Sequence, residues 1–207
     1  MSTISTVIFD LGGVILNLNQ DLTLRAFQRL GLDLSEVNFN SSIFTDFETG
    51  KITASDFRSG IKTHLKKEIP DVAIDQAWNA MLLDLPEHRL KAIEHLRKTH
   101  KVYLLSNTNS IHIDAFNAYF MQQYKPERWV QLFDKIYYSY EIGLRKPNTD
   151  IYEFVTADIR TQPEQCLFID DSLANIKGAA SAGLKTLLAH EPLGENLWKQ
   201  LKTALAE

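Results

Sequence analysis

The chain has 207 residues, 44% of them hydrophobic, and a formal net charge of −4. That length suits one large domain or a body with a smaller insertion, and the apolar fraction supplies a substantial core. The acidic balance and the absence of a basic block speak against nucleic acid. No apolar run nears the ~20 residues that span a bilayer, so no membrane partner is expected, and the first residues lack the basic and apolar regions of a leader. The setting this implies is reducing and cytoplasmic. Its one cysteine, Cys166, has no intramolecular partner and lies in an apolar run, where a structural thiol is expected.

In chain order, the first predicted element is a buried strand over Thr6–Asp10 (TVIFD), closed by a carboxylate and followed by Gly12-Gly13. Between Asn17 and Leu85 the pattern turns helical, with segments at Asp21–Leu30, Ser55–Lys67 and Ile74–Leu85. Thr53-x-x-Asp56 offers a box-like helix start with Asp in place of Glu. Phe44, Phe47, Phe57, Trp78 and Met81 read as helix-packing core in preference to a ligand box, and no dimer face is inferred from them. Further strands are expected at Val102–Ser106, Lys135–Ser139, Cys166–Asp170 and Thr186–Ala189. Helices are expected at Leu90–Lys98, Ile111–Gln122, Asp150–Ile159 and Leu173–Ala182, the last stopped by Gly183. Strand and helix in alternation predict an α/β fold with a mainly parallel sheet covered on both faces. The expected division is a body of residues 1–16 and 86–207 with an inserted helical cap at 17–85.

In such sheets ligands gather outside the carboxyl ends of the strands, and four of those ends carry polar side chains. Asp10 is a candidate nucleophile, since a carboxylate attacking phosphorus gives an acyl phosphate that water cleaves. Ser106 and Asn107 offer neutral donors for phosphate oxygens. Lys146, followed by Pro147, adds a compact positive charge. Asp170 and Asp171 are hard oxygen ligands suited to magnesium, which would hold two anions together. Successive residues of an extended chain point opposite ways, so one of the pair is the direct ligand and the other supports it. Taken singly each residue has an ordinary reading: a turn acid, a helix cap, a solvated lysine. Their joint occurrence at strand ends, in this order, points to phosphoryl transfer.

The four segments FDLGGVI, LLSNTN, GLRKPNTDIY and FIDDSLANIKGA resemble the four loops of the haloacid dehalogenase (HAD) superfamily, in order and over almost the whole chain. The helical insertion matches the position of the four-helix cap in that superfamily, and FETGKIT is similar to a cap segment of the bacterial sugar-1-phosphate phosphatases. The resemblance implies a Rossmann-like core in which Asp10 is phosphorylated, Ser106 and Asn107 bind phosphate and Lys146 organises the site. It further implies magnesium on Asp10, the Gly12 carbonyl and the Asp170/Asp171 pair, with Asp171 favoured as the direct ligand. Asn175 would orient the fourth loop, and Arg145 flanks Lys146.

One position departs from that pattern. Most phosphatases of the superfamily carry Asp-x-Asp in the first loop, the second acid moving protons; here the residues are Asp10-Leu11-Gly12, and glycine has no group for that work. Glu48 and His112 are the candidate substitutes, against their ordinary readings as a cap-surface and a helix-face residue. The expected function is magnesium-dependent hydrolysis of a small phosphorylated metabolite, a sugar phosphate, through a phospho-Asp10 intermediate. The alternative from a different class is a catalytically impaired phosphate-ligand sensor or interaction protein. A phosphomutase is a further alternative, and the acidic pair argues against a haloacid dehalogenase.

Overall fold

Val7, Ile8 and Phe9 are wholly buried on both faces of the sheet, which is why TVIF shows no alternation of apolar and polar residues. The structure, a computed structural model, describes residues 3–32, 41–65 and 68–206. The strands are β1 (Thr6–Phe9), β2 (Lys101–Ser106), β3 (Lys135–Tyr138), β4 (Cys166–Asp170) and β5 (Lys185–Leu188). They form one sheet in the order β3-β2-β1-β4-β5, and every pairing is parallel. Central β1 pairs β2 through Phe9↔Leu104 and β4 through Phe9↔Ile169. The loops after β1, β2 and β4 therefore leave the same edge of the sheet, where the strand order reverses and a crevice opens.

The helices are α1 (Gln20–Leu30), α2 (Ser42–Glu48), α3 (Ala54–Leu65), α4 (Asp71–Asn79), α5 (Glu87–Leu96), α6 (Ser110–Gln123), α7 (Pro126–Gln131), α8 (Ser139–Ile142), α9 (Thr149–Asp158), α10 (Leu173–Ser181) and α11 (Glu195–Ala206). The body helices predicted from periodicity appear with ends shifted by at most three residues. Short α2, α7 and α8, and the terminal α11, were not anticipated. Helix α3 begins as its sequence implies: Asp56 accepts from the Thr53 main-chain N–H at 3.0 Å while Thr53 Oγ1 accepts from that of Asp56 at 3.2 Å. Its expected reach to Lys67 lies outside the described residues.

The predicted helix over Ile74–Leu85 is corrected. Helix α4 stops at Asn79, and the chain then runs extended so that Leu82 bridges Leu18 antiparallel. The Leu83 main-chain N–H donates to Asn17 O and that of Asn17 to Asp84 O, both at 3.0 Å. Periodicity alone cannot register this change, because Leu82 and Leu85 continue an apolar spacing that the main-chain pairing overrides.

Helices α1 to α4 bury a cluster of their own that includes Phe27, Phe44, Phe57, Ile74 and Trp78 and takes in Ile111 from α6. Phe47 stacks on Phe57 at 4.6 Å between ring centroids. The aromatic residues are thus core, as the sequence implies, although Phe44, Trp78 and Met81 also show a face to the crevice. Cys166 is buried, and burial pushes its thiol up to about 12, which makes it inert. Among the described residues no helix is long and apolar enough to cross a membrane. Arg89, unremarkable in sequence, is buried and donates to the carbonyls of Leu193 (3.1 Å) and Ile15 (2.8 Å) and to Asn17 Oδ1 (2.9 Å). It pins α5 to the segment that leaves the first loop.

Candidate active site

Lys146 organises the crevice. It is 1% exposed, and its Nζ donates to Asp10 Oδ1 at 2.8 Å, Asp170 Oδ2 at 2.7 Å and Leu105 O at 3.0 Å. All three ammonium hydrogens are thereby matched. Burial pushes the ammonium down, but the two carboxylates outweigh it and hold the lysine above its ordinary value. The loop that carries it is locked from both sides. Asn107 Nδ2 donates to Lys146 O at 2.9 Å and Asn107 Oδ1 accepts from Lys146 N at 3.0 Å. From α10, Gly178 lies so close that a Cβ there would stand 2.1 Å from Pro147 O, so only glycine permits this packing.

Asp10 follows β1 directly, its N–H donating to Ile169 O at 2.9 Å. Burial pushes its carboxyl up to about 7; Lys146 opposes the shift while Asp170 and Asp171 add to it. Asp170 is fully buried and accepts from Lys146, from the Ser172 N–H at 2.8 Å and from Asn175 Nδ2 at 3.0 Å on each oxygen. Both its oxygens are therefore occupied. Asp171 is exposed and lies over the first loop, where a Cβ on Gly13 would stand 2.1 Å from its Oδ2. Burial and then Asp170 raise its carboxyl above the usual carboxylate range.

Asp10, Asp170 and Asp171 each offer an oxygen within 4.8 Å of the others. Three carboxylates against one lysine, all hard oxygen donors, fit a small divalent cation. Asp170 is the most heavily hydrogen-bonded of the three, meeting Lys146, Asn175 and Ser172, whereas Asp10 meets Lys146 through Oδ1.

All of these groups except Asp170 line a cavity of about 280 Å³. The structure brings Asp10, Gly12, Ser106, Asn107, Lys146, Asp171 and Asn175 to its wall, and Glu48 and His112 to the same wall. Arg145 is not on the wall but holds Glu48 in place, Nη2 at 2.9 Å and Nε at 3.2 Å from Glu48 Oε2. Glu48 Oε1 has no partner among the described residues. Burial raises the Glu48 carboxyl against the opposing pull of Arg145. The loop after β2 is held by a residue the sequence did not mark: Ser139 Oγ accepts from Thr108 N at 2.9 Å and donates to Thr108 O at 3.1 Å. Asn107 ties its side chain to the Lys146 main chain through one N–H and its oxygen. Asn109, and not Ser106 or Asn107, caps α6.

The place where a second acid would stand is filled. A Cβ on Gly12 would meet Leu18 Cδ1 at 2.4 Å, so an apolar side chain from the entry to the helical segment covers the first loop. An acid introduced at residue 12 requires Leu18 to swing aside. No pattern in the sequence pairs these two positions, because the contact depends on the Leu18–Leu82 bridge.

Residues 4–183 match the family of haloacid dehalogenase-like hydrolases. The chain is similar, at 32% identity over 98% of both chains, to the D-ribitol-5-phosphate phosphatase of Bacteroides thetaiotaomicron. Among solved structures it is similar to a HAD family enzyme of the same organism, in complex with magnesium and inorganic phosphate. That enzyme has 35% identity and a TM-score of 0.80 over 89% of this chain and 93% of the other. A HAD-like family hydrolase of Porphyromonas gingivalis has 32% identity and a TM-score of 0.87 over 99% of both. The sheet, the loops at its edge and these likenesses agree: the chain belongs to the haloacid dehalogenase-like hydrolase family.

Proposed function

We propose that this HAD-family phosphatase hydrolyses the monophosphate of a small neutral sugar or polyol, with Asp10 as nucleophile and residues 17–85 as the cap over the leaving group. The observation that carries the reading is the grouping of three carboxylates around one buried lysine at the ends of β1 and β4. An Asp10 oxygen attacks phosphorus as the bond to the leaving oxygen breaks; water then cleaves the aspartyl phosphate and restores the carboxylate. Lys146 holds Asp10 in line, while the Ser106 hydroxyl and the locked backbone after β2 bind the non-bridging oxygens. Asp10, Asp171 and the Gly12 carbonyl would hold magnesium, whose charge offsets the repulsion between carboxylate and phosphate.

Proton transfer falls to Glu48, which gives its proton to the leaving alkoxide and recovers one from the attacking water. His112 does not qualify, because burial pushes its imidazole down to about 3. Among the described residues lining the cavity, Lys146 is the only Lys or Arg, and it is fully engaged. A second phosphate or a carboxylate on the substrate would meet no uncommitted Lys or Arg among the described residues of that wall. D-ribitol 5-phosphate, for which the Bacteroides relative is named, has a neutral polyol as its leaving group.

The test is phosphate release with magnesium from a panel of phosphomonoesters. Neutral polyol and sugar monophosphates should be hydrolysed, with kcat/KM about 100-fold lower for bisphosphates and phosphocarboxylates. Glu48→Gln should lower kcat about 100-fold. No release from any ester would sink the reading. Magnesium must also displace the proton that burial favours on Asp10. Its apparent affinity, followed by calorimetry, should rise about tenfold from pH 6 to pH 8; a flat profile would remove Asp10 from the ligand set.

A further inference from the structure

We propose that His112 is a specificity-determining residue whose Nε2 accepts a hydrogen bond from a hydroxyl of the leaving group. The inference rests on the phosphatase reading above and deepens it. His112 stands in the first turn of α6, with its N–H capped by Asn109 Oδ1 at 3.1 Å. Its ring is fixed on a face and on an edge. It stacks on Trp78 with centroids 4.7 Å apart and planes 15° from parallel, and Nδ1 lies 2.8 Å from Asn79 Oδ1. With a carbonyl oxygen as partner, Nδ1 carries the hydrogen and Nε2 the lone pair.

Nε2 has no partner among the described residues, and it is not sealed from access: the one sealed side-chain nitrogen or oxygen without a partner among them is Asn109 Nδ2. The ring lines the cavity that holds Asp10 and Ser106. Burial keeps it neutral, so the acceptor persists across the physiological range. The same cavity is lined by apolar Leu16, Phe44, Met81 and Leu82 as well as by polar Gln20, Glu48 and Thr108. A substrate hydroxyl lying against the apolar residues needs a partner within reach, because a polar group buried without one is costly. A histidine needed only for packing would be served by the Trp78 stack and Asn79; the open nitrogen is what a hydroxyl-bearing carbon chain would use, with its C–H faces on the apolar residues.

The experiment compares kcat/KM for ribitol 5-phosphate and for the hydroxyl-free pentyl phosphate in wild type, His112→Phe and His112→Met, the second apolar replacement covering a failure of the first to fold. Wild type should prefer the polyol ester, and each variant should reduce that preference about tenfold. In wild type, one single-deoxy analogue should lose a comparable factor. Equal losses on both esters would mark a purely structural role and overturn the proposal, as would an unchanged ratio or a deoxy series in which no hydroxyl matters. Absence of turnover by wild type on every ester would sink the phosphatase reading and this inference together; turnover with an unchanged ratio would sink the role of His112 alone.

Discussion

Asp10→Asn should abolish phosphate release, with kcat at least about a thousandfold below wild type, because an amide oxygen does not form the acyl phosphate on which both half-reactions depend. The same change should raise the melting temperature of the metal-free protein near neutral pH. Burial holds the Asp10 carboxyl above its ordinary 3.8, with Asp170 and Asp171 adding to the shift. The sign follows from linkage: a carboxyl raised on folding contributes stability that is full below its unfolded value and lost as pH rises through its folded value. Metal-free wild type should therefore lose stability between pH 4 and roughly pH 7 through this group, and Asp10→Asn should not. Asparagine still accepts from Lys146, which keeps Asp170 as its ion partner. Melting curves with and without magnesium at pH 5 and 7.5, beside phosphate release, check both halves. A variant that turns over normally would dismiss Asp10 as nucleophile, and a beryllofluoride adduct on wild type alone would support it.

Lys146→Met should be the most destabilising single change at the site. It leaves Asp10 and Asp170 facing each other with no cation and removes the donor to Leu105 O. Stranding buried charge in this way costs about 3–5 kcal/mol, which for a chain of this length lowers the melting temperature by about 10 °C. Turnover should fall about a thousandfold as the nucleophile loses its orientation and the phosphoryl group its nearest fixed charge. Lys146→Arg should not rescue, because a planar guanidinium does not fit a site 1% exposed that is shaped for a compact ammonium. Differential scanning calorimetry beside steady-state kinetics decides the matter: a Met variant as stable as wild type would show that the lysine offsets no repulsion.

The site was legible to an unusual degree because its residues stand at strand ends, and strand ends can be read from short apolar runs closed by polar residues. TVIFD, VYLLS and CLFID announce three neighbouring strands of the sheet. Their shared parallel direction brings Asp10, Ser106 and Asp170 to one edge. Division of labour within that edge was less visible. Asn107 was expected to bind phosphate through its amide, yet both amide atoms bond the Lys146 main chain. Asp170 and Asp171 were expected to differ. The Asn175 and Ser172 bonds to Asp170 set the two apart.

The sequence by itself determined the α/β class, the parallel order of strand and helix, the helical insertion and the identity of the acids and the lysine at the sheet edge, because these depend on local periodicity and on residues that end a strand. Only the tertiary structure decided what surrounds them. Leu18 covers Gly12, Arg145 holds Glu48 on the cavity wall and Trp78 and Asn79 fix the His112 ring. Each of these contacts except Gly12–Leu18 joins residues more than thirty positions apart, and even that one is set by a pairing with distant Leu82. Burial and hydrogen bonding between such residues set charge state and direction, and neither leaves a periodic trace in the chain.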